Sequence, residues 1–269
     1  MACLLASLLL LVACADDRVT LAYELEPGRQ LQYQLRLRAE IIRTIGGVRR
    51  SEDVEATFLS TQVIGAPLAT GGAEATVTLV PESLAVDGRP VDVGAPQEFV
   101  VNLGEDGRVL AIQKSGAADA EALDPVGIER LLPRLRPVLP GTPVTTGQTW
   151  ASATILDDES GRFSLSSRSR LAQLGLAGGR EAALVRTTYV SPVDRQEEFA
   201  NAVAEMEGRD IGAQEAWFAL DGFLISAEGD SVGTYGVTFT PPGSEAGLGP
   251  VQGSLVVRLH TEMLLLSGV

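Results

Sequence analysis

Hydrophobic and polar residues alternate along most of this chain. Leu31, Tyr33, Leu35, Leu37, Ala39 and Ile41 alternate with Gln30, Gln32, Gln34, Arg36, Arg38 and Glu40. A period of two sends the two sets to opposite faces of a strand, so Arg29 to Ile41 predicts a half-buried β-strand. Ile45-Gly46-Gly47 turns the chain, and Val54, Ala56 and Phe58 mark the return strand. Its phase slips at Leu59, since Thr61 and Val63 continue on odd positions, and a β-bulge is expected there. Ala73 to Val80 predicts a third strand. Asp87-Gly88 is a hairpin signal joining Leu84-Ala85-Val86 to Val91-Asp92-Val93, and Gly104 to Gly107 is another. Val19 to Glu26, Arg162 to Leu176, Ala183 to Val190 and Ser231 to Thr240 read as further strands. Ser254 to Leu265 closes the pattern, with Leu255, Val257, Leu259 and Met263 opposite Arg258, His260 and Glu262. Asp194 to Gly208 fits a helical stripe (Phe199, Val203, Met206) as well as strands.

One stretch changes period. Ile128, Leu131, Leu132 and Leu135 fall at i, i+3, i+4 and i+7, one face of a helix. Asp124-Pro125 supplies an N-cap and a first-turn proline. Pro133 and Pro137 limit this helix, and a proline-rich connector runs to Pro143. The fold class expected is therefore mainly β: antiparallel curved sheets or a half-barrel, with one linking amphipathic helix. A first β lobe spans 19–115, the helix and connector 116–143, and a second β lobe 144–269. Three echoes cross the connector in order. Leu25-x-x-Gly28-x-x-Leu31 matches Val144-x-x-Gly147-x-x-Trp150. Gly71-Gly72 matches Gly178-Gly179, and the turn at Gly107 matches that at Gly222. They read as an internal duplication, with chance matches among glycine-rich turns as the alternative.

Leu4 to Val12 is apolar but too short to span a bilayer, which takes about 20 residues. It has the length of a signal-peptide core, although no Lys or Arg precedes it. Leu11-Val12-Ala13-Cys14 resembles the lipobox of bacterial lipoproteins. The resemblance implies a signal peptide at 1–13, lipidation at Cys14 and a tether at 14–18. It also implies a lipid-anchored protein of the bacterial cell envelope, on the outer membrane facing the periplasm. The architecture resembles the half-open β-barrel lipoproteins of the LolA/LppX type, which implies room for an apolar ligand.

The net charge is −14 and the only cysteines are Cys3 and Cys14. An acidic surface repels phosphate backbones, so nucleic acid is not an expected partner. A domain without cysteine past residue 14 has no disulfide or thiol chemistry. Gly229-Asp230-Ser231-Val232-Gly233 matches the nucleophile-elbow pattern, and Ser231, Glu245 and His260 follow in hydrolase order. An elbow needs a helix after its turn, whereas Thr234 to Thr240 reads as strand. One histidine and no thiol cannot build a zinc site, and Asp157-Asp158-Glu159 lacks the spacing of a calcium loop. No catalytic residue, metal or cofactor is expected. The expected function is a non-enzymatic binding or structural module that recruits an envelope partner. The alternative is a carrier of a lipid or other apolar ligand on the face formed by Tyr33, Leu35, Leu37, Val54, Phe58, Leu255, Val257 and Leu259. A serine hydrolase is the remote alternative.

Overall fold

The computed structural model describes residues 18–115, 128–158, 161–199, 202–240 and 250–268. The alternating pattern becomes one antiparallel sheet of twelve strands. They are β1 (Gln30–Ile45), β2 (Val48–Pro67), β3 (Ala73–Val86), β4 (Arg89–Pro90), β5 (Gln97–Leu103), β6 (Val109–Ser115), β7 (Thr149–Asp158), β8 (Gly161–Ala177), β9 (Arg180–Phe199), β10 (Ala202–Ala219), β11 (Leu224–Thr240) and β12 (Val251–Gly268). The order across the sheet is β6-β5-β3-β2-β1-β12-β11-β10-β9-β8-β7, with β4 a short partner of β3 alone. Residues 19–115 and 144–269 thus supply two arms of the same sheet, joined where β1 pairs with β12.

The free edges β6 and β7 approach within 8 Å at Cα. The sheet is therefore a nearly closed eleven-strand barrel, which corrects the half-barrel expectation. Its strands are long, up to 20 residues, and twist accumulates along such strands. Register shifts between Gln32 and Tyr33, Leu171 and Gln173, and Trp217 and Phe218 add local bends.

An odd strand count leaves one pair of neighbours running the same way, and here that pair is β6 and β7. Parallel neighbours cannot share a tight hairpin and need a crossover. The described part of the crossover, from Ile128 onward, runs through the lumen. Arg136 donates to Gln62 Oε1 on β2 at 2.8 Å, while Gln214 on β10 donates to the Arg134 carbonyl at 2.8 Å. Leu131, Leu132 and Leu135 are buried in the same core as Leu35, Phe58, Val77 and Phe99. The predicted linking helix is corrected accordingly. Among the described residues only one α-turn, α1 (Ile128–Leu131), and a 3-10 turn (Leu132–Arg134) form. Pro133 cannot donate to the preceding turn, and a narrow lumen favours an extended strap. Asp124-Pro125 lies outside the described residues.

The strap leaves the lumen at the end where β1 begins, the base of the barrel. There it meets the lead-in to β1. Val19 and Val144 exchange two backbone hydrogen bonds at 2.9 Å, and Tyr23 donates to the Pro137 carbonyl at 2.8 Å. Burial pushes the Tyr23 hydroxyl well above the ordinary range, so it stays a donor. The lead-in was expected to be a strand, but among the described residues it makes only this isolated bridge.

Two smaller expectations also change. Even positions of β2 stay inward past Phe58, with Ser60 and Gln62 buried, and the register with β1 is unbroken. The apparent phase slip at Leu59 is polar residues facing the lumen. The bulge lies opposite, in β3, between Pro81 and Ser83. Past Asp87-Gly88 the expected partner strand shrinks to β4. The ambiguous segment 194–208 is a hairpin of β9 and β10.

The arms repeat in their hydrogen bonding. Gly28 donates to the Ile64 carbonyl and Ile64 to that of Arg29; Gly147 donates to Leu171 and Leu171 to Gln148. Gly104 donates to Arg108 and Gly107 to Gly104; Ala219 donates to Phe223 and Gly222 to Ala219. The lead-ins are exchanged: Glu24 donates to Gly222 in the second arm, and Leu139 to Asp106 in the first. The outer wall carries cross-strand ion pairs, Arg36–Glu262, Arg38–Glu55 and Arg186–Glu215. Such exposed pairs add little stability.

Candidate functional site

A strongly polar part of the lumen is built on β10 and β11. Asp210 faces inward between Gly208 and Gly212, opposite Ser191 on β9 and Gly233 on β11. The glycines clear space for tyrosines. A Cβ on Gly212 would sit 2.4 Å from the Tyr189 ring, and one on Gly233 2.1 Å from the Tyr235 hydroxyl. A side chain larger than hydrogen at either position would force the phenol it meets to shift.

Arg134, carried in by the strap, pairs with Asp210 Oδ2. Its side chain is 10% exposed and that of Asp210 8%. Tyr235 donates its hydroxyl to Asp210 Oδ1. Both carboxylate oxygens are thereby engaged, as a buried charge requires. The guanidinium also stands 5.7 Å from the Phe163 ring centre and 5.8 Å from that of Tyr189. Arg134 Nε and Ser191 Oγ are buried without a hydrogen-bond partner. Burial, and then the charge of Asp210, push the Tyr235 hydroxyl far above its ordinary value. Burial likewise raises Tyr189, which bonds Ser231. Both phenols therefore remain protonated at neutral pH.

These groups border a cavity of about 60 Å³. Arg130, Arg134, Arg195, Asp210 and Tyr235 form its polar side, and Phe163, Met206, Leu255, Val257 and Leu259 its apolar side. The eight residues of the predicted apolar face all turn toward the lumen. Tyr33, Leu35, Leu37 and Phe58 are buried in its packed part, where burial raises Tyr33 to about 12. Val54 is half-buried above them. Only Leu255, Val257 and Leu259 reach the cavity. Among larger hollows, one of about 650 Å³ lies beside Asp194, Glu205 and Glu207, residues that are exposed.

Ser231 and His260 do not meet. Ser231 pairs with Leu259 across β11 and β12 and faces the lumen, whereas His260 pairs with Asp230 on the outer wall. His260 Nδ1 lies 2.9 Å from Asp230 and Nε2 3.3 Å from Glu262. Mainly the Asp230 hydrogen bond holds its pKa above the usual value. Glu245 lies outside the described residues. Among those described, no group of three or more His, Cys, Asp or Glu is placed to hold a metal.

Sequence reasoning missed Arg134, Asp210, Tyr189 and Tyr235. The available signal was an acidic residue flanked by glycines two positions away on each side, Gly208-x-Asp210-x-Gly212, inside an otherwise alternating stretch.

No family model matches the chain, and no curated protein matches it. A crystal structure of Pseudomonas aeruginosa OccK2 (OpdF) is similar at 7% identity. The alignment covers 89% of this chain and 100% of that one, with a TM-score of 0.24. An overlap that low carries no argument about fold or function.

Proposed function

We propose that the protein is a lipid-anchored binding module of the bacterial cell envelope, tethered through Cys14 and held on the outer membrane facing the periplasm. One observation carries the preference for a binding module over a lipid carrier: the lumen is filled by the chain's own strap. The hollow left beside the strap, about 60 Å³, is far below the roughly 300–1,000 Å³ of a typical small-molecule pocket, which favours a binding module over a lipid carrier. The lipobox at Leu11 to Cys14 supports the anchor. The lead-in at Val19 packs at the base, so a tether at 14–18 would leave the barrel there, with the opposite end directed away from the membrane. The wall supports attachment by lipid alone. A membrane-spanning barrel turns an apolar band outward, whereas Arg36, Arg38, Glu55 and Arg258 are exposed here. Among the described residues no helix is long and apolar enough to cross a membrane. The recurring hydrogen bonds of the arms support an internal duplication.

The anchor is tested by detergent partitioning and intact mass. Wild-type protein should partition with detergent and carry acyl mass, and Cys14→Ser should be soluble or unprocessed. Wild-type protein without acyl mass would refute the anchor. Native mass spectrometry tests the carrier: lipid adducts on folded wild-type protein would restore that reading over the binding module.

A further inference from the structure

We infer that the outer wall of β9 to β11 is a docking face for an extended protein segment. That segment carries one bulky apolar residue and, about 13 Å further on, two cationic side chains. The inference deepens the binding-module reading and rests on it, but not on how the protein is attached. The strand registers lay the face out in rows. Val190, Ile211 and Val232 are cross-strand neighbours. They are 44%, 46% and 44% exposed and form a contiguous apolar row. Four residues along β10 lies an acidic row, in which Glu207 stands directly opposite Asp194. Glu205 follows on the same face, opposite Gln196 and Thr238. A hollow of about 440 Å³ lies beside Ile211 and Val232. The one of about 650 Å³ lies beside Asp194 and Glu205, and Glu207 borders both.

Two observations set this face apart from the rest of the wall. The first is electrostatic. Elsewhere outward charges are matched across strands: Arg186 with Glu215, Arg258 with Glu40, Arg36 with Glu262. Asp194, Glu205 and Glu207 have no ion-pair partner among the described residues. Like charges directly opposite one another destabilise a sheet, and Arg209, two residues from Glu207, sets one cation against three acids. The second is Gly236, which faces outward between Glu207 and Ser254. An added Cβ there would meet only the Glu207 carbonyl, at an ordinary 3.8 Å. The strand thus has room for a side chain and does without one, and a glycine inside a strand marks a place where another backbone can approach. Cationic side chains over the acids would relieve their repulsion, and an apolar one over Ile211 would remove hydrocarbon from water. A second copy of this chain fits poorly, since each copy carries a net charge of −14.

The experiment is a fluorescence-anisotropy titration of the full-length protein in detergent against a labelled peptide, Trp-Ser-Ser-Ser-Lys-Ser-Lys. Its spacing copies that from Ile211 to Glu207 and Glu205. At low salt the peptide should bind saturably, with a dissociation constant of about 1 mM or tighter, and binding should weaken as salt rises. The same peptide with Glu in place of both Lys should bind more weakly by about tenfold or more. Ile211→Thr should weaken the Lys peptide by about threefold, and Asp194→Asn with Glu207→Gln by about tenfold. Because that double variant removes a like-charge opposition, its urea midpoint should rise. No saturable binding to wild-type protein, equal binding of the acidic peptide, or binding that neither variant weakens would overturn the assignment. A lower urea midpoint in the double variant would also overturn it, since the acids would then serve the fold. So would a dimer in sedimentation velocity that Ile211→Thr dissociates, which would give the face to a second copy. The binding-module reading fails separately: lipid adducts in native mass spectrometry would remove it whatever the peptide does, whereas a negative titration removes this face alone.

Discussion

The first arm, β1 to β6, lines its share of the lumen with Leu35, Phe58, Val77, Leu79, Phe99 and Val101. The second arm, β7 to β12, places Ser169, Thr187, Tyr189, Ser191, Asp210 and Gln214 in the corresponding wall, all but Tyr189 counted among its buried polar groups. The strands follow the same plan, and the turn hydrogen bonds coincide. What differs is what the strands enclose. An apolar wall lowers free energy wherever it is buried, at about 25 cal/mol per Å², and needs no particular partner. A polar wall is tolerated only if each group finds its counterpart, and the strap supplies these through Arg134. Scaffold and site are thus divided between the two arms. In the second arm Gly212 and Gly233 make room for the two phenols.

The largest test of that division is Asp210→Ala, which strands Arg134. It should lower unfolding stability by about 3–5 kcal/mol in urea titration. Adding Arg134→Leu should recover much of the loss, since removing both charges spares the unpaired one. The first-arm counterpart Gln62→Ala, which removes a neutral acceptor facing Arg136, should cost only about 1 kcal/mol. Equal losses at both positions would end the distinction between the walls. Leu79→Ala should cost about 2–5 kcal/mol through an unfilled hole, and Thr187→Ala clearly less, measured the same way.

The shared features give the next pair. Gly107 and Gly222 stand at φ 78° and 97°. A Cβ would come 1.9 Å from the Tyr23 ring at the first and 2.8 Å from the Glu24 backbone nitrogen at the second. Alanine at Gly46, also at positive φ but in open space, should cost about 1–2 kcal/mol. Gly107→Ala and Gly222→Ala should each cost about 1–3 kcal/mol more, from overpacking. If only one exceeds the control, the turns are not equivalent.

The smallest effect sits on β12, the strand without a counterpart in the first arm. The folded state holds His260 above its ordinary pKa, so it binds the proton more tightly than the unfolded chain does. The stabilisation is complete below about pH 6.5 and is lost as pH rises through the raised value. The side chain is 27% exposed and its partner Asp230 79%, so screening keeps the contribution small. His260→Gln should flatten the dependence of the urea midpoint on pH between roughly 5.5 and 8.5.

Alternation in Leu31 to Ile41 and Leu255 to Met263 was enough to read strands, their inward faces and the β character of the fold. The Asp87-Gly88 and Gly104 to Gly107 turns were legible for the same reason, since their chemistry is local. The polar site was not. Asp210 and Ser231 look like solvent-facing residues until the barrel closes around them. Ser60 and Gln62 mimicked a bulge because a lumen position was assumed to be apolar. The strap failed as a helix prediction because Leu131, Leu132 and Leu135 obey helical spacing, while the space that receives them suits little more than one turn. Closure itself depends on pairing between β1 and β12, far outside any local window.

That pairing has a consequence in time. Gln32 and Ser267, 235 residues apart, are neighbours, and every residue of the strap lies between them in the chain. The strap joins β6 to β7, the two edges that face each other without a ladder, so it can settle between the arms while they come together. The β1–β12 ladder is a natural last seam, drawn shut once the strap has found Asp210 and Gln62. A fold whose defining contact spans so much chain belongs among slow folders. Until that seam closes, two long hydrogen-bonding edges remain exposed, the kind of surface that invites aggregation. The same ion pair that shapes the lumen would then also act as a checkpoint on assembly.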